Sequence, residues 1–191
     1  MNPILWKPDQ ERVAASQMTA FTRYVEEKTA NHFSDYQALW QWSIQSPEDF
    51  WPAVWKFCGV QASRPWDNAL ENPQQMPGAK WFNGAKLNFA ENLLEGGKDE
   101  AIAILFRNEI GQSREIRRGE LRLEVARVAG WLQEQGIGPG DRIAAWMPNL
   151  PETVVMLLAA ATLGATFSSC SPDFGIQAVV ERFGQIEPVL L

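Results

Sequence analysis

The chain has 191 residues, of which 46% are hydrophobic and 21% charged, and its formal net charge is −6. Such a composition is ordinary for a soluble globular protein. An acidic chain has no surplus of lysine and arginine to neutralise phosphates, so neither nucleic acid nor a membrane surface is expected as a partner. No apolar run reaches the ~18 residues of a membrane span, and neither a signal peptide nor a glycosylation sequon is visible. We therefore expect a cytoplasmic protein.

The first 81 residues carry most of the tryptophans and prolines and show no convincing β-strand. Seven of the nine tryptophans lie there: Trp6, Trp40, Trp42, Trp51, Trp55, Trp66 and Trp81. We expect helices and loops that wrap over another part of the protein. The aromatic side chains have too little regular structure beneath them to form a core of their own.

Polar residues mark the first helix starts. Asp9 can cap a helix that carries four residues along one side: Val13, Phe21, Tyr24 and Val25. Ser34 and Gln37 have the spacing of a capping box, with Ser34 at the N-cap and Gln37 at the third helical position.

A further helix start combines a serine with two prolines. SPED at 46–49 repeats the capping box with Ser46 at the N-cap, and Pro47 then occupies the first helical position, where proline is favoured. Pro52 lies inside the expected span, so it should distort the helix or shift its start.

From about residue 100 the chain alternates strands with helices. A strand at 101–108, a turn and a second short strand predict a hairpin. The next helix carries apolar residues at helical spacing: Leu121, Val125, Val128, Ala129 and Leu132. Gly136 ends that helix. The remaining predicted elements are a strand at 142–147, a helix at 152–163 closed by Gly164, a strand at 165–170, a helix at 175–186 and the start of a strand at 188–191.

This alternation predicts an α/β fold. A helical and loop-rich N-terminal segment precedes the start of a largely parallel sheet with right-handed crossovers and helices on both faces. The chain stops within an apolar strand, which would leave a sheet edge exposed. Natural domains rarely end in that way, so we expect the front end of a longer protein.

Several candidate sites are better explained as structure. The sequence GIGPGD at 136–141 follows a helix and precedes a strand, the reverse of the dinucleotide fingerprint, and is expected to be a turn. EGGKDE at 95–100 lacks the Ser or Thr and the preceding strand of a P-loop. The scattered acidic residues are expected to lie on solvated faces.

The histidine and the two cysteines offer no recognisable catalytic or metal-ligand set. His32 is expected at a helix end rather than acting as a base, and no Ser–His–Asp or Cys–His set can be assembled. Cys58 and Cys170 are expected to be reduced and packed. Cys170 has no neighbouring base, so a small residue at a strand end is favoured over a nucleophile. No spacing typical of metal ligands is present.

The sequence SSCSPDFG at 168–175 is the candidate binding element. It follows a strand predicted to be parallel, at the end where α/β sheets bind ligands, and the next helix could offer its N-terminus to an anion. Pro172 and Asp173 should form the bend, and Asp173 or Ser171 should cap the helix that starts near Gly175. A plain connector is the alternative. Ser168 and Ser169 are expected at the end of a buried strand.

Read end to end, the chain resembles the acyl-CoA synthetases of the adenylate-forming superfamily. The runs that carry the resemblance are 39–60, 77–94 and 136–191. The second run resembles the N-terminal segment shared with acetyl-CoA synthetases, through Trp81, Phe82, Leu87, Asn88 and Asn92. SSCSPDFG resembles the branch that acts on acetoacetate, where the acetyl enzymes have FGGF.

The resemblance implies an ATP-dependent ligase that forms acetoacetyl-adenylate and then transfers the acyl group to CoA. It implies a domain boundary between residues 95 and 96, with the first part of the AMP-binding domain at 96–191, and ATP, CoA and Mg²⁺ as cofactors. The phosphate loop, the adenine site and the lid lysine of the family would lie beyond residue 191. No catalytic residue is therefore assigned, and the 191 residues alone are expected to be inactive and to bind no cofactor.

The resemblance also places the turn of Ser171, Pro172, Asp173 and Phe174 near the CoA nucleotide. Three alternatives stay open. The ligase could act on another short-chain acid such as acetate or propionate. The α/β part could be a stand-alone nucleotide-binding module. The resemblance implies that the tryptophan-rich part packs against the remainder of the same chain. In the third alternative, this part is a non-catalytic interaction module that binds a separate partner.

Overall fold

The computed structural model describes residues 3–191. They form two compact units, the first extending to Lys86 and the second comprising Leu87–Leu191. No helix within residues 3–191 is both long and apolar enough to cross a membrane.

The first unit contains four helices and a two-stranded sheet. Its elements are α1 Gln10–Ala14, α2 Gln17–Lys28, α3 Tyr36–Gln45, α4 Pro47–Phe57, β1 Asn68–Glu71 and β2 Lys80–Asn83. The strands are antiparallel, with Leu70 opposite Trp81. The prediction of no strand in this region was therefore wrong. Each strand has only four residues, too few to show the alternation that reveals a strand in a sequence.

Side-chain caps decide where the first helices begin. The carboxylate of Asp9 accepts the Arg12 amide at 2.7 Å, as predicted. The single helix expected after it is divided, because the Ser16 hydroxyl accepts the Thr19 amide and starts α2. The capping box was misplaced by one residue. Asp35 rather than Ser34 is the N-cap of α3 and accepts the Ala38 amide at 2.9 Å.

Helix α4 begins as predicted, with Ser46 at the N-cap and Pro47 at the first position. The capping box predicted at 46–49 was wrong, because the Ser46 side chain makes no capping bond to the described residues. Pro52 does not shift the start, because α4 runs unbroken from Pro47 to Phe57. Proline has no N–H, so it leaves the carbonyl of Glu48 without its helical donor.

Aromatic rings give the first unit a core of its own. Phe21 is buried and its ring meets Phe50 at 5.8 Å and Phe57 at 5.2 Å between centroids. Trp55 forms a second cluster with Trp66 at 4.8 Å and Phe82 at 4.7 Å. The prediction that these aromatic residues lack a core was wrong, because edge-to-face contacts between α2 and α4 build one locally.

The second unit contains the predicted alternation. Its elements are α5 Phe89–Leu94, β3 Ile102–Arg107, β4 Ser113–Arg117, α6 Arg118–Glu134, β5 Arg142–Trp146, α7 Pro151–Thr162, β6 Thr166–Cys170 and α8 Ile176–Gly184. Strands β3 and β4 form the expected antiparallel hairpin. Strands β5 and β6 are parallel, in a register that pairs Arg142 with Thr166 and Trp146 with Cys170.

Helices cover both faces of the parallel strands. Ile143 and Ala144 are adjacent and buried, so their side chains point to opposite faces of β5. Ile143 packs in one core with α6 and α7, and Ala144 packs in another with Val179 and Phe183 of α8. The predicted arrangement of an α/β fold is confirmed.

Helix α6 buries the apolar face that its sequence indicates. Leu121, Val125, Ala129 and Leu132 are buried, and Val128 packs against the same core. Gly136 follows the helix with φ +80°, a conformation that favours glycine.

The last predicted strand is a single bridge. Leu190 pairs in parallel with Ile143, and its carbonyl accepts the Ala144 amide at 2.9 Å. Strand β5 is thus paired on both edges. Ser168 is half-buried but Ser169 is exposed, contrary to prediction. Alternation along β6 turns Ser169 away from the face on which Cys170 is buried.

Candidate functional site

The carboxyl ends of β5 and β6 lead into a tight turn. The Met147 amide donates to the Cys170 carbonyl at 3.1 Å, which continues the parallel pairing past the end of β5. The Phe174 amide donates to the Ser171 carbonyl at 3.1 Å. Residues 171–174 are therefore a β-turn, with Pro172 and Asp173 at its centre as predicted.

Bonds within the turn use the Asp173 carboxylate. The Ser171 hydroxyl donates to Asp173 Oδ2 at 2.9 Å and accepts the Asp173 amide at 3.3 Å. Gly175 is the N-cap of α8, and no side chain of the described residues caps this helix. The prediction that Asp173 or Ser171 caps α8 was wrong, because the two side chains bond each other.

Two side chains from other elements hold the turn. The Trp146 indole Nε1 donates to the Ser171 carbonyl at 3.1 Å. The Arg182 guanidinium of α8 lies 4.6 Å from the Phe174 ring centroid, within cation–π range. Neither Trp146 nor Arg182 was predicted. Trp146 could have been found as the last residue of a strand parallel to 166–170, whereas the Arg182 contact depends on the shape of the turn.

The chemistry of this edge suits binding rather than bond making. Trp146, Phe174 and Arg182 are exposed there, so two aromatic rings and a guanidinium are open to a ligand. The carboxylate of Asp173 is exposed beside them. No nucleophile with an adjacent base lies among these side chains, and Cys170 is buried at the end of β6.

A second concave region lies between β4, α6 and the start of α7. It encloses about 260 Å³ and is lined by Ile116, Glu120, Val128, Met147 and Val155, among others. At its rim Arg114 and Glu152 form an ion pair at 2.7 Å. The hydrogen bond from Arg114 lowers the pKa of Glu152 and raises that of Arg114. The side chains of Arg114 and Glu152 are about half exposed, at 53% and 51%. The exposure of Glu152 agrees with the prediction that acidic residues lie on solvated faces.

The other residues considered in the sequence have structural positions. His32 lies in the loop after Thr29, the C-cap of α2, and not at the helix end itself, and its Nδ1 lies 2.9 Å from Glu26 Oε1. Neither cysteine forms a disulfide within the described chain. The prediction that Cys58 is packed was wrong, because Cys58 is the C-cap residue of α4 and is exposed there. Residues 3–191 contain no group of three or more His, Cys, Asp or Glu side chains that could hold a metal ion.

The glycine-rich sequences are connections between elements. Residues 136–141 join α6 to β5, and the Asp141 carboxylate accepts the Gly138 amide at 2.9 Å, which confirms a turn. Residues 95–100 follow α5. Arg118 and Arg122 donate to the carbonyls of Gly96 and Leu94.

Comparison with known families identifies the class of this α/β unit. Residues 94–191 match the AMP-binding enzyme family. Residues 36–93 match the acetyl-coenzyme A synthetase N-terminus. The chain belongs to the AMP-binding enzymes, and its resemblance to acyl-CoA synthetases is confirmed.

The chain is similar to individual acyl-CoA synthetases along almost its whole length. The chain is 46% identical over 188 residues to acetoacetyl-coenzyme A synthetase of Rhizobium meliloti (strain 1021), covering 97% of this chain and 28% of the relative. It is 38% identical to malonamoyl-CoA synthetase of Penicillium aethiopicum, covering 98% of this chain and 27% of the relative. The structure of acetoacetyl-CoA synthetase from Streptomyces lividans superposes with a TM-score of 0.92 at 39% identity, covering 99% of this chain and 30% of that one. The chain thus spans less than a third of the length of these relatives.

Proposed function

We propose that this chain is part of an ATP-dependent ligase that activates acetoacetate and joins it to CoA. The observation that carries the proposal is the near-half identity to a bacterial acetoacetyl-CoA synthetase along almost the whole chain. The proposal concerns the whole protein. The 191 residues alone are expected to be inactive, because they span about 28% of that relative.

The proposed reaction has two half-reactions at one site. A carboxylate oxygen of acetoacetate attacks the α-phosphorus of ATP, and the bond to the β-phosphate breaks to release pyrophosphate. The CoA thiol then attacks the acyl carbon, the bond to AMP breaks, and the thiol loses its proton. No residue of this chain is assigned to either bond-making step. Mg²⁺ enters the proposal only as the partner of ATP.

The chain's own contribution is proposed to be one wall of the CoA site. The turn of Ser171, Pro172, Asp173 and Phe174 lies at the carboxyl ends of parallel strands, where α/β folds bind ligands. An aromatic ring and a guanidinium suit the base and the phosphates of a nucleotide. We propose residues 1–95 as the N-terminal segment and 96–191 as the first part of the AMP-binding domain. A cytoplasmic location stays a prediction.

The name of one relative favours malonamate as a second candidate substrate. The Penicillium relative is named for malonamoyl-CoA, at 38% identity over 98% of this chain. Malonamate differs from acetoacetate only in an amino group in place of the terminal methyl group. The two acids are nearly isosteric, so a hydrophobic contact for the methyl group would discriminate against malonamate by a modest factor. Acetate and propionate lack the β-carbonyl.

The experiment is ATP–pyrophosphate exchange with the full-length protein that carries this chain. Acetoacetate is expected to drive exchange at least about ten-fold better than acetate or propionate, since a site that hydrogen-bonds the β-carbonyl leaves polar groups unpaired with the shorter acids. Malonamate is the matched comparison for the methyl group. Exchange that is driven equally by all four acids would refute the substrate, and exchange driven by none would refute the ligase.

The same assay separates the ligase from a stand-alone nucleotide-binding module. Such a module would bind ATP without any acid-dependent exchange. Formation of acetoacetyl-CoA and AMP in equal amounts, measured after CoA is added, then tests the second half-reaction.

A further inference from the structure

The turn at 171–174 has little buried surface to fix its position. Pro172, Asp173 and Phe174 are exposed, and Ser171 is half-buried. The helix that follows has Gly175 at its N-cap and no capping side chain from the described residues. The position of the turn must therefore depend on the few bonds that tie it to the strands and to α8.

The Ser171 carbonyl is the point where these bonds meet. It accepts the Phe174 amide from within the turn and the Trp146 indole N–H from the end of β5, both at 3.1 Å. A carbonyl oxygen has two lone pairs, so both are used. The Trp146 bond is the one that links the turn to the sheet, since the Phe174 bond lies inside the turn.

Trp146 is itself fixed by the sheet. Its backbone is paired with Cys170 in the parallel register, and Ala145 before it is buried. The indole therefore projects from a rigid strand end. On the other side of the turn, the Phe174 ring lies under the Arg182 guanidinium of α8.

We infer that Trp146 is a positioning residue for the 171–174 turn, and that through the Ser171 carbonyl it sets the approach of CoA in the second half-reaction. The part about CoA rests on the proposed function. The positioning of the turn rests on the geometry alone. Trp146 does not act on the carboxylate or on ATP, so the adenylation half-reaction does not depend on it.

The test uses the full-length protein with Trp146→Phe, which keeps an aromatic ring and removes the N–H donor. Trp131→Phe is the matched control, because Trp131 is exposed to the same degree, 47% against 45%, and lies on α6 outside the turn. Phe174→Leu is the second variant, since it removes the ring under Arg182 and leaves the Trp146 bond in place.

The first measurement is hydrogen exchange of the Phe174 amide, which needs no enzymatic activity. Loss of one hydrogen bond to Ser171 should speed local opening of the turn by about five-fold in the Trp146→Phe protein. The Trp131→Phe protein should exchange at the wild-type rate. An unchanged rate in Trp146→Phe would overturn the inference, whatever the protein catalyses.

The second measurement compares the two half-reactions. Trp146→Phe and Phe174→Leu should raise the KM for CoA about three- to ten-fold and leave acetoacetate-driven ATP–pyrophosphate exchange at the wild-type rate. Equal losses in both half-reactions would indicate a merely structural role and overturn the inference. Faster amide exchange with an unchanged KM for CoA would refute its CoA part. A wild-type protein without ATP–pyrophosphate exchange activity would refute the proposed function. Hydrogen exchange of the Phe174 amide would still decide whether Trp146 positions the turn.

Discussion

Asn88 joins two helix ends through one side-chain amide. Its Oδ1 accepts the Glu91 amide at 3.1 Å and caps the start of α5. Its Nδ2 donates to the carbonyls of Ala161 at 2.9 Å and Thr162 at 3.2 Å, at the end of α7. Helix ends leave such amides and carbonyls without helical partners. We predict that substitution of Asn88 destabilises the second unit more than loss of an ordinary cap.

The magnitude follows from the three bonds. Loss of an N-cap costs about 1 kcal/mol, and each remaining bond contributes about 0.5–1.5 kcal/mol to a half-buried site. Asn88→Ala should therefore lower the free energy of unfolding by about 2–4 kcal/mol. Asn88→Asp keeps the acceptor for Glu91 but sets a carboxylate against two carbonyl oxygens. It should cost about 2 kcal/mol, although Asp is as good an N-cap as Asn.

The assay is urea denaturation of the full-length protein, followed by hydrogen exchange of the α5 and α7 amides to locate the change. Asn149→Ala is the matched control, because Asn149 is exposed in the loop before α7, and it should change stability by less than about 0.5 kcal/mol. A wild-type stability in Asn88→Asp would refute a contribution from the α7 carbonyls. A wild-type stability in Asn88→Ala would refute the double cap altogether.

Three further predictions concern pH, the turn and association. The hydrogen bond from Arg114 lowers the pKa of Glu152 in the folded protein. The contribution of Glu152 to stability is therefore present above its unfolded pKa and is lost as pH falls through its folded pKa. Because the pair is half exposed, Glu152→Gln should lower the free energy of unfolding by less than about 1 kcal/mol at pH 7. In this variant the free energy of unfolding should fall less steeply than in the wild type as the pH is lowered; a steeper fall would contradict this. Asp173→Asn should leave stability and adenylation unchanged, since an amide oxygen can also accept the Ser171 hydroxyl. A several-fold change in the KM for CoA would instead assign the carboxylate to cofactor approach. The 191-residue chain alone should self-associate in size-exclusion chromatography, because it exposes apolar side chains such as Leu191 at 76%; a monodisperse monomer with a cooperative melt would contradict that.

Local patterns in the sequence determined the elements of the second unit from β3 onward, whereas the short helix α5 was not predicted. The apolar residues of α6 recur at 3.6-residue spacing, and four of them are buried on one face. The alternation of strands and helices from residue 100 determined the parallel pairing of β5 with β6 and the helices on both faces. These features depend on residues close in the chain, so a sequence reveals them.

Tertiary structure alone decided the N-cap of α3, the core of the first unit and the contacts of the turn. Ser34 and Asp35 are both good N-caps, and in the structure Asp35 is the residue that caps α3. Strands β1 and β2 exist because they pair with each other across an intervening loop, not because four residues prefer to be extended.

The candidate site shows the same division. The sequence determined a turn around Pro172 and Asp173, because proline fixes φ and a small polar residue follows it. It did not determine that Trp146, 25 residues earlier, donates to Ser171. The predicted parallel pairing could have placed Trp146 beside the turn. Neither spacing nor propensity along the chain gives the side-chain geometry of that bond, or of the one from Asn88 to Ala161.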